Sequence, residues 1–331
     1  MNKKDLNTIF QKFNNYNILV IGDVMVDSYM WGKVERISPE APVPIISISK
    51  QESRLGGAAN VAVNLKSLGA NPFICSVVGD DDKSIIFSEI LKQNNISAAG
   101  IIKSKKRITT TKTRIISHNQ HLLRIDEELD KELTKEIEIQ FFEHIKNIIS
   151  ENNIHAIIFE DYDKGVITPF IINNVVELAN KKNIPTTVDP KKKNFNNYKN
   201  VTLFKPNFKE FIEGTKLEIK KNEFEKLFNA TQLLQNKHNI KYVLTTLSEV
   251  GILISNNKTY HNIPAQIRDV ADVSGAGDTV ISVATLCLIA GLDIYSIAAI
   301  SNIAGGLVCE KSGVVPIDKQ QLLEECISIL K

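Results

Sequence analysis

Short apolar runs alternate with longer helical patterns along most of this chain. Buried strands are predicted at residues 18–21, 73–78, 156–159, 186–188, 201–204 and 242–245, and helices at 58–68, 84–93, 133–149, 171–181, 223–235, 276–290 and 294–310. Such an alternation favours an α/β fold, in which a mostly parallel sheet is covered by helices on both faces. No repeat, linker or composition break divides the 331 residues, so we predict one domain over residues 1–331.

Two segments interrupt this alternation. Residues 28–50 contain three prolines followed by an isoleucine-rich stretch, and residues 107–126 contain a run of β-branched side chains. Both patterns favour extended chain over helix. We therefore predict a small additional β layer built from these two segments, which would act as a lid over a bound ligand.

The bulk composition excludes several classes of partner. The net charge of +2 provides no strong field for nucleic acid or for a membrane surface. The longest apolar stretch, residues 280–292, is well short of the roughly 20 residues that cross a bilayer. Residues 1–16 are polar, with the apolar spacing of a short amphipathic helix, and the four cysteines are scattered. These features predict a cytoplasmic protein that binds neither nucleic acid nor membrane.

The segment DVSGAGDT at residues 272–279 lies directly before an apolar helical pattern. The amides of Gly275, Ala276 and Gly277, together with a helix N-terminus, would form an anion site. The negative charge of Asp278 would weaken the attraction of this site for phosphate, so its presence indicates a catalytic role. Accepting a proton from a hydroxyl that attacks phosphorus is such a role. The alternative is a glycine turn with Asp278 as a helix cap, because short glycine motifs often occur by chance.

A second glycine segment, GGAAN, occupies residues 56–60. Gly56 and Gly57 allow a ligand to approach the backbone closely. Asn60 offers both a donor and an acceptor, which suits neighbouring sugar hydroxyls. The alternative is a tight strand-to-helix turn that Asn60 caps.

Three other kinds of site are excluded. Gly32 and Lys33 are not followed by the serine or threonine of a P-loop, and Val280 stands where a dinucleotide fingerprint needs its third glycine. His118 and His121 would face opposite sides of a strand and could not share a metal. The sequence therefore indicates neither a Walker-type nucleotide site, nor an NAD-dependent oxidoreductase, nor a zinc site.

The two glycine segments, in this order and at this separation, resemble the signature motifs of the PfkB carbohydrate kinases. The resemblance covers nearly the whole chain and implies a ribokinase-like three-layer sandwich with a mostly parallel central sheet and a small β lid. It implies ATP as phosphoryl donor, Asp278 as catalytic base, and Gly275, Ala276 and Gly277 as the turn that binds the transferring group. One departure is Val280, where many members of the family carry phenylalanine.

The same resemblance implies how the nucleotide is bound. The implied ATP-binding residues are Asn207, Glu210, Thr246, Ser248, Gly251, Gly275, Gly277 and Asn302. Asn207 and Glu210 form the Asn-x-x-Glu element that the family places near Mg²⁺. Loops near Asp269 and Ser312 are where the family binds a monovalent cation such as K⁺, and the sequence leaves open whether one is needed here.

A narrower resemblance connects this chain with the heptose 7-phosphate kinases of lipopolysaccharide-core synthesis. It rests on residues 22–27, 36–44, 119–120, 161–165 and 188–191. It implies ATP-dependent phosphorylation of D-glycero-β-D-manno-heptose 7-phosphate at O1, giving the 1,7-bisphosphate that leads to ADP-heptose. The alternative is a PfkB kinase for another sugar or sugar phosphate. Some such kinases are fused to a nucleotidyltransferase domain, and this chain, which ends after the kinase motifs, is predicted to be a stand-alone kinase.

A sugar that already carries a phosphate needs a cationic receptor. Lys112 and Arg114 share one face of a predicted lid strand, and arginine and lysine both suit phosphate. Arg124, Lys164 and Lys191 are further candidates for binding this phosphate. The predicted substrate-binding residues are Asp23, Asp27, Gly56, Gly57, Asn60, Lys112, Arg114, Arg124, Asp161, Lys164, Asp189 and Lys191. We also predict a homodimer formed through the lid. A sugar-binding protein without turnover is the remaining alternative, and the presence of Asp278 within the glycine cluster argues against it.

Overall fold

The computed structural model describes residues 3–118 and 120–330, so Asn119, part of one of the motifs above, lies outside the described residues. The helices are α1 (Lys3–Lys12), α2 (Ala58–Ser67), α3 (Asp82–Gln93), α4 (Lys135–Glu151), α5 (Pro169–Lys181), α6 (Phe208–Thr215), α7 (Phe224–His238), α8 (Ala276–Ile289), α9 (Ile294–Cys309) and α10 (Lys319–Ile329). The strands are β1 (Asn17–Gly22), β2 (Val24–Ile37), β3 (Pro44–Gly57), β4 (Asn71–Gly79), β5 (Ile101–Ser104), β6 (Thr111–Ser117), β7 (Gln120–Glu127), β8 (Ala156–Glu160), β9 (Thr186–Asp189), β10 (Leu203–Phe204), β11 (Tyr242–Thr246), β12 (Ile252–Ser255) and β13 (Tyr260–Ile263).

Among the described residues, nine strands form a large sheet in the order β13-β12-β11-β10-β9-β8-β1-β4-β5. The pairs from β11 to β5 are parallel, and only β12 and β13 are antiparallel at one edge. The predicted α/β class with a mostly parallel central sheet is confirmed.

The two faces of this sheet bury separate apolar cores. Along β1, Ile18 and Val20 face the core that α1, α2, α3, α8, α9 and α10 cover, whereas Leu19 and Ile21 face the core covered by α4, α5, α6 and α7. Successive side chains of a strand point to opposite faces, so a fully apolar strand requires helices on both sides. The predicted three-layer sandwich is confirmed by this arrangement.

A smaller sheet forms the lid, in the strand order β3-β2-β6-β7. It is built from the two segments that the sequence predicts to be extended. Strands β2 and β3 pair antiparallel, as do β6 and β7, whereas β2 and β6 pair in parallel. The lid therefore continues from the end of β1 through β2, and it lies at the edge of the large sheet where β1 ends.

The carboxyl ends of the parallel strands meet at that edge. Asp23 follows β1, Glu160 and Asp189 end β8 and β9, Lys205 follows β10 and Thr246 ends β11. In open α/β sheets ligands bind at this edge.

No helix within the described ranges is both long enough and apolar enough to cross a membrane.

Candidate active site

Asp278 lies in the first turn of α8 and is almost fully buried. The side-chain amide of Asn60, on α2, donates a 2.6 Å hydrogen bond to its Oδ2 atom. The hydroxyl of Tyr162, in the loop after β8, donates a 2.9 Å hydrogen bond to Oδ1. The N-cap of the helix is Gly275, so Asp278 is not the helix cap of the alternative interpretation. Its carboxylate is instead oriented by side chains from two other elements.

The surroundings of Asp278 shift its acidity toward neutrality. Burial is the largest cause, the hydrogen bond from Asn60 acts in the opposite direction, and the nearby carboxylate of Asp189 adds to the effect of burial. Together they raise the pKa of Asp278 to about 6. General bases work best when their pKa lies near the operating pH, so this carboxylate suits proton abstraction.

Three buried carboxyl groups meet beside this base. Oxygen atoms of Glu160, Asp189 and Asp278 lie within 4.8 Å of one another. Lys205, which is 2% exposed, places its Nζ atom 2.7 Å from Asp189 Oδ2. Neither side-chain oxygen of Glu160 has a hydrogen-bond partner in the described chain. Burial, followed by the carboxylates of Asp189 and Asp278, raises the pKa of Glu160 well above its usual value.

The glycine turn before α8 is tightly fitted to these groups. A Cβ atom at Gly275 would lie 2.9 Å from Asn60 Nδ2. A Cβ atom at Gly277 would lie 3.5 Å from both Asp189 Oδ2 and Lys205 Nζ. The turn therefore packs directly against the partner of the base on one side and against a buried ammonium group on the other.

The lid carries the second predicted carboxylate, Asp27, on β2. It forms an ion pair with Arg114 of β6. A Cβ atom at Gly56, on β3, would collide with the Asp27 carboxylate, and one at Gly57 would collide with the carbonyl of Asp23. The two glycines thus allow β3 to pass close to both aspartates.

Asp23 is occupied by the backbone of the loop after β8. Its carboxylate accepts hydrogen bonds from the amides of Tyr162 at 2.9 Å, Lys164 at 3.1 Å and Val166 at 3.0 Å. Asp161 also lies in this loop, and it accepts hydrogen bonds from the backbone of Asp163 and from the side chains of Asn194 and Tyr198. Both aspartates hold the loop in place, and their predicted contact with substrate stays a prediction.

Three of the five predicted phosphate-binding cations form one network. Lys112 lies 2.9 Å from Asp126 and 3.0 Å from Glu128, and Lys164 lies 2.8 Å from Glu128. Arg124 joins through Asp126 at 2.8 Å. Lys112 is also the register partner of Asp27 across β2 and β6, so the network borders the Asp27 site. The sequence did not indicate that carboxylates would neutralise these cations.

The other two cations lie apart from this network. Arg114 is bound to Asp27, as described above, and its guanidinium lies 5.2 Å from the ring centroid of Tyr29. Lys191, after β9, forms an ion pair with Glu210 and lies 5.3 Å from the ring centroid of Tyr162.

The Asn-x-x-Glu element begins α6. Asn207 Oδ1 accepts the amide of Glu210 at 2.9 Å, and Glu210 Oε2 accepts the amide of Asn207 at 2.9 Å, which is a capping box. Asn207 also pairs with Thr246 at the end of β11. These three predicted nucleotide-binding residues are therefore brought together at the edge of the sheet.

The remaining predicted nucleotide-binding residues lie farther along that edge. Ser248 begins a 3₁₀ turn, Ser248–Val250, and the carbonyl of Gly251 closes this turn by accepting the amide of Leu247 at 2.7 Å. Asn302, on α9, donates a 2.8 Å hydrogen bond to the carbonyl of Pro264. Their role in binding ATP stays a prediction.

Tyr162, Glu160 and Lys205 are absent from the sequence-based list. Each follows or ends a parallel strand, next to residues that the motifs did single out. Strand ends therefore carried a usable signal, because the side chains at the carboxyl edge of a parallel sheet converge.

Comparison with known proteins identifies relatives of the whole chain. A family model described as pfkB family carbohydrate kinase matches residues 15–320. The bifunctional protein HldE of Pelobacter propionicus is 36% identical over 324 residues, which cover 98% of this chain and 66% of that protein. The bifunctional protein HldE of Helicobacter pylori is 40% identical over 296 residues, which cover 89% of this chain and 63% of that protein. The chain thus spans slightly less than two thirds of the length of these curated relatives.

Solved structures share the fold at low sequence identity. Phosphofructokinase-2 from Escherichia coli in complex with potassium has a TM-score of 0.77 at 17% identity and covers 94% of this chain and 98% of its own. Ribokinase from Arabidopsis thaliana complexed with ribose and ATP has a TM-score of 0.71 at 16% identity, covering 93% and 99%. At these identities the likeness concerns the fold alone, and the fold is ribokinase-like.

Proposed function

The chain belongs to the PfkB family of carbohydrate kinases, and we propose that it transfers the γ-phosphoryl group of ATP to O1 of D-glycero-β-D-manno-heptose 7-phosphate. The product would be the 1,7-bisphosphate used in ADP-heptose formation. The observation that carries this proposal is the position of Asp278, buried at the glycine-lined start of α8 and held by Asn60 and Tyr162. The relatives named HldE, at 36% and 40% identity, support this substrate among the sugars of the family.

The proposed reaction needs one proton transfer and one displacement at phosphorus. Asp278 takes the proton of the sugar O1 hydroxyl as that oxygen attacks the γ-phosphorus, and the bond from this phosphorus to the oxygen bridging it to the β-phosphorus breaks, so that ADP leaves. The amides of Gly275 and Gly277 face the charge that spreads over the transferring group. Lys205, whose ammonium lies beside Gly277, adds positive potential at the same place.

PfkB kinases use ATP with a divalent metal, and we propose that the metal here is Mg²⁺. Amide and carboxylate oxygens such as those of Asn207 and Glu210 are suitable ligands, directly or through water. Glu210 is already bound to Lys191 and to its own helix start, so it is held in one orientation. When bound, the ion would neutralise charge on the ATP phosphates.

We propose a K⁺ site between the loops near Asp269 and Ser312. Asp272 connects these loops, because its Oδ2 atom accepts the amide of Gly313 at 3.0 Å and its Oδ1 atom accepts the amide of Ser274 at 2.9 Å. A cation there would lie next to the glycine turn. Phosphofructokinase-2 from Escherichia coli, which shares this fold, has been solved in complex with potassium.

We also propose that the lid mediates a homodimer. Its strands and their connecting turns expose large apolar side chains, namely Ile37, Val43, Ile48, Leu122, Leu123 and Ile125. Exposed large apolar side chains of this kind are common at protein interfaces. The cytoplasmic location of the protein stays a prediction.

The substrate assignment is tested with purified protein, ATP, Mg²⁺ and a panel of sugar 7-, 6- and 5-phosphates with their unphosphorylated parents. We expect ADP release to be fastest with the heptose 7-phosphate, and phosphorus NMR to locate the new phosphate on O1. Faster turnover of another sugar would transfer the assignment to that sugar. Absence of turnover with every sugar would refute the kinase assignment.

Replacement of Lys112 by methionine is expected to raise KM for the heptose 7-phosphate about 10- to 150-fold, because a charge-assisted hydrogen bond is worth about 1.5–3 kcal/mol. KM for ATP should stay nearly unchanged, since the network of Lys112 and Glu128 lies on the lid side. Initial-rate kinetics measure both constants. Lys181→Met is the control, because Lys181 pairs with Glu177 on the exposed surface of α5. An unchanged KM for the sugar phosphate would show that this network does not bind the substrate phosphate.

A further inference from the structure

The hydroxyl of Tyr162 is one of two donors that hold the carboxylate of Asp278. It contacts Oδ1 at 2.9 Å, while the amide of Asn60 contacts Oδ2 at 2.6 Å. We propose that Tyr162 is a positioning residue of the phosphoryl-transfer reaction, which orients the base and keeps it in its ionised form. Each carboxylate oxygen has two acceptor sites, so a sugar hydroxyl can still bind next to the tyrosine. The inference rests on the proposed function, because it concerns the base of that reaction.

The backbone around Tyr162 is held in place by hydrogen bonds with other side chains. Asp23, buried under the loop, accepts the amides of Tyr162, Lys164 and Val166 at 2.9 to 3.1 Å. Arg107, which precedes the lid strand β6, donates a hydrogen bond to the carbonyl of Lys164 from the other side. A loop held by these hydrogen bonds keeps the tyrosine ring in one position. The hydroxyl can therefore set the orientation of a carboxylate on a different element.

This arrangement also explains why Asp23 is a buried carboxylate. Its three backbone bonds are the interactions that fix the loop carrying Tyr162. Removing such a carboxylate would leave several buried amides without an acceptor, which costs more than the bonds themselves contribute. In this interpretation Asp23 acts on the reaction through the loop and through Tyr162.

The charges around Asp278 show why a donor is needed. Glu160 on β8 and Asp189 on β9 face it, and a charge on either disfavours a second negative charge. Lys205 favours the ionised form, but its ammonium is already bound to Asp189 at 2.7 Å. The hydrogen bonds from Tyr162 and Asn60 contact the carboxylate of Asp278 directly, and they therefore stabilise its ionised form. Burial raises the pKa of the Tyr162 hydroxyl well above its usual value, so it stays a donor.

The first test is direct titration of the base without any substrate. Protein labelled with carbon-13 at aspartate carboxyl groups is followed by NMR between pH 4 and 9, and Asp278→Asn assigns the signal. We expect Tyr162→Phe to raise the pKa of Asp278 by about one unit, because the lost hydrogen bond favours the ionised form. An unchanged titration of Asp278 would overturn the proposal.

Tyr198→Phe is the matched control. The hydroxyl of Tyr198 also donates to a buried carboxylate, Asp161, at 3.0 Å, but it does not contact the base. This variant should leave the titration of Asp278 where it is in the unmodified protein. The same shift in both variants would mean that any loosening of this region alters the base, which would overturn the specific role of Tyr162.

The second test is the pH profile of kcat/KM for the sugar phosphate. Tyr162→Phe should move the acid limb to higher pH by the same unit, so that activity falls about tenfold at pH 5 and changes little above pH 8.5. An acid limb that stays in place would overturn the proposal, because the tyrosine would then not support the ionised base. If the unmodified protein turns over no sugar phosphate, the proposed function fails, while the NMR titration still decides the role of Tyr162.

Discussion

Asp278→Asn is expected to lower kcat about 10²- to 10⁴-fold, which is the usual contribution of a general base. The asparagine side chain has the same shape and can still accept a hydrogen bond from Tyr162 or Asn60, so the fold should persist. It cannot take up the proton of the attacking hydroxyl. Initial rates with saturating ATP and sugar phosphate measure the loss, and calorimetry should show that both substrates still bind.

Asp293→Asn is the control for this substitution. Asp293 caps α9 and accepts the amide of Ser296 at 3.0 Å, and asparagine is an equally good N-cap. The control variant should therefore keep its turnover and its melting temperature. If purified Asp278→Asn retains a kcat close to that of the unmodified protein, Asp278 is not the base.

The pH dependence of the unmodified enzyme has a definite direction. Burial and the neighbouring carboxylate of Asp189 raise the pKa of Asp278 to about 6, and only the ionised form accepts a proton. Activity should therefore be present above pH 6 and fall as the pH decreases through that value. The acid limb of the kcat/KM profile should disappear in Asp278→Asn, where only the residual rate remains.

The sequence predicted the large sheet because its central strands are apolar on both faces. It did not predict β5, β12 or β13, which are four-residue strands at the two edges of the sheet. Strands this short have too little pattern of their own, and pairing with a neighbouring strand decides their conformation. The helix α6 was missed for a different reason. Its start, Asn207 to Glu210, is a capping box that the sequence analysis interpreted only as a ligand motif.

The candidate site was predicted in part. Asp278 and Asn60 were identified separately from two glycine segments, and the structure joins them through a 2.6 Å hydrogen bond. Glu160, Tyr162 and Lys205 were not identified, because their nearness to Asp278 depends on β8, β9 and β10 being neighbours in the sheet. Strand order is a property of tertiary packing that local patterns do not carry.

Gly275→Ala is expected to lower kcat about 10²- to 10³-fold, the usual loss when one donor to a developing oxyanion is displaced. Gly275 has φ of 81°, a left-handed conformation that costs an alanine about 1–2 kcal/mol. In addition, the new Cβ would lie 2.9 Å from Asn60 Nδ2, the atom that donates to Asp278. The substitution therefore strains the turn that faces the phosphoryl group and displaces the partner of the base.

Gly291→Ala separates these two effects, because Gly291 lies just beyond the other end of α8. It has φ of 85°, and no atom lies within 4 Å of the position that its Cβ would take. Both variants should lose thermal stability, since both force alanine into the left-handed region, and Gly275→Ala should lose more because of its additional contact with Asn60. Only Gly275→Ala should lose turnover. Equal losses of turnover would assign the effect to strain in α8, and full activity of Gly275→Ala would show that the glycine turn does not contact the transferring phosphoryl group.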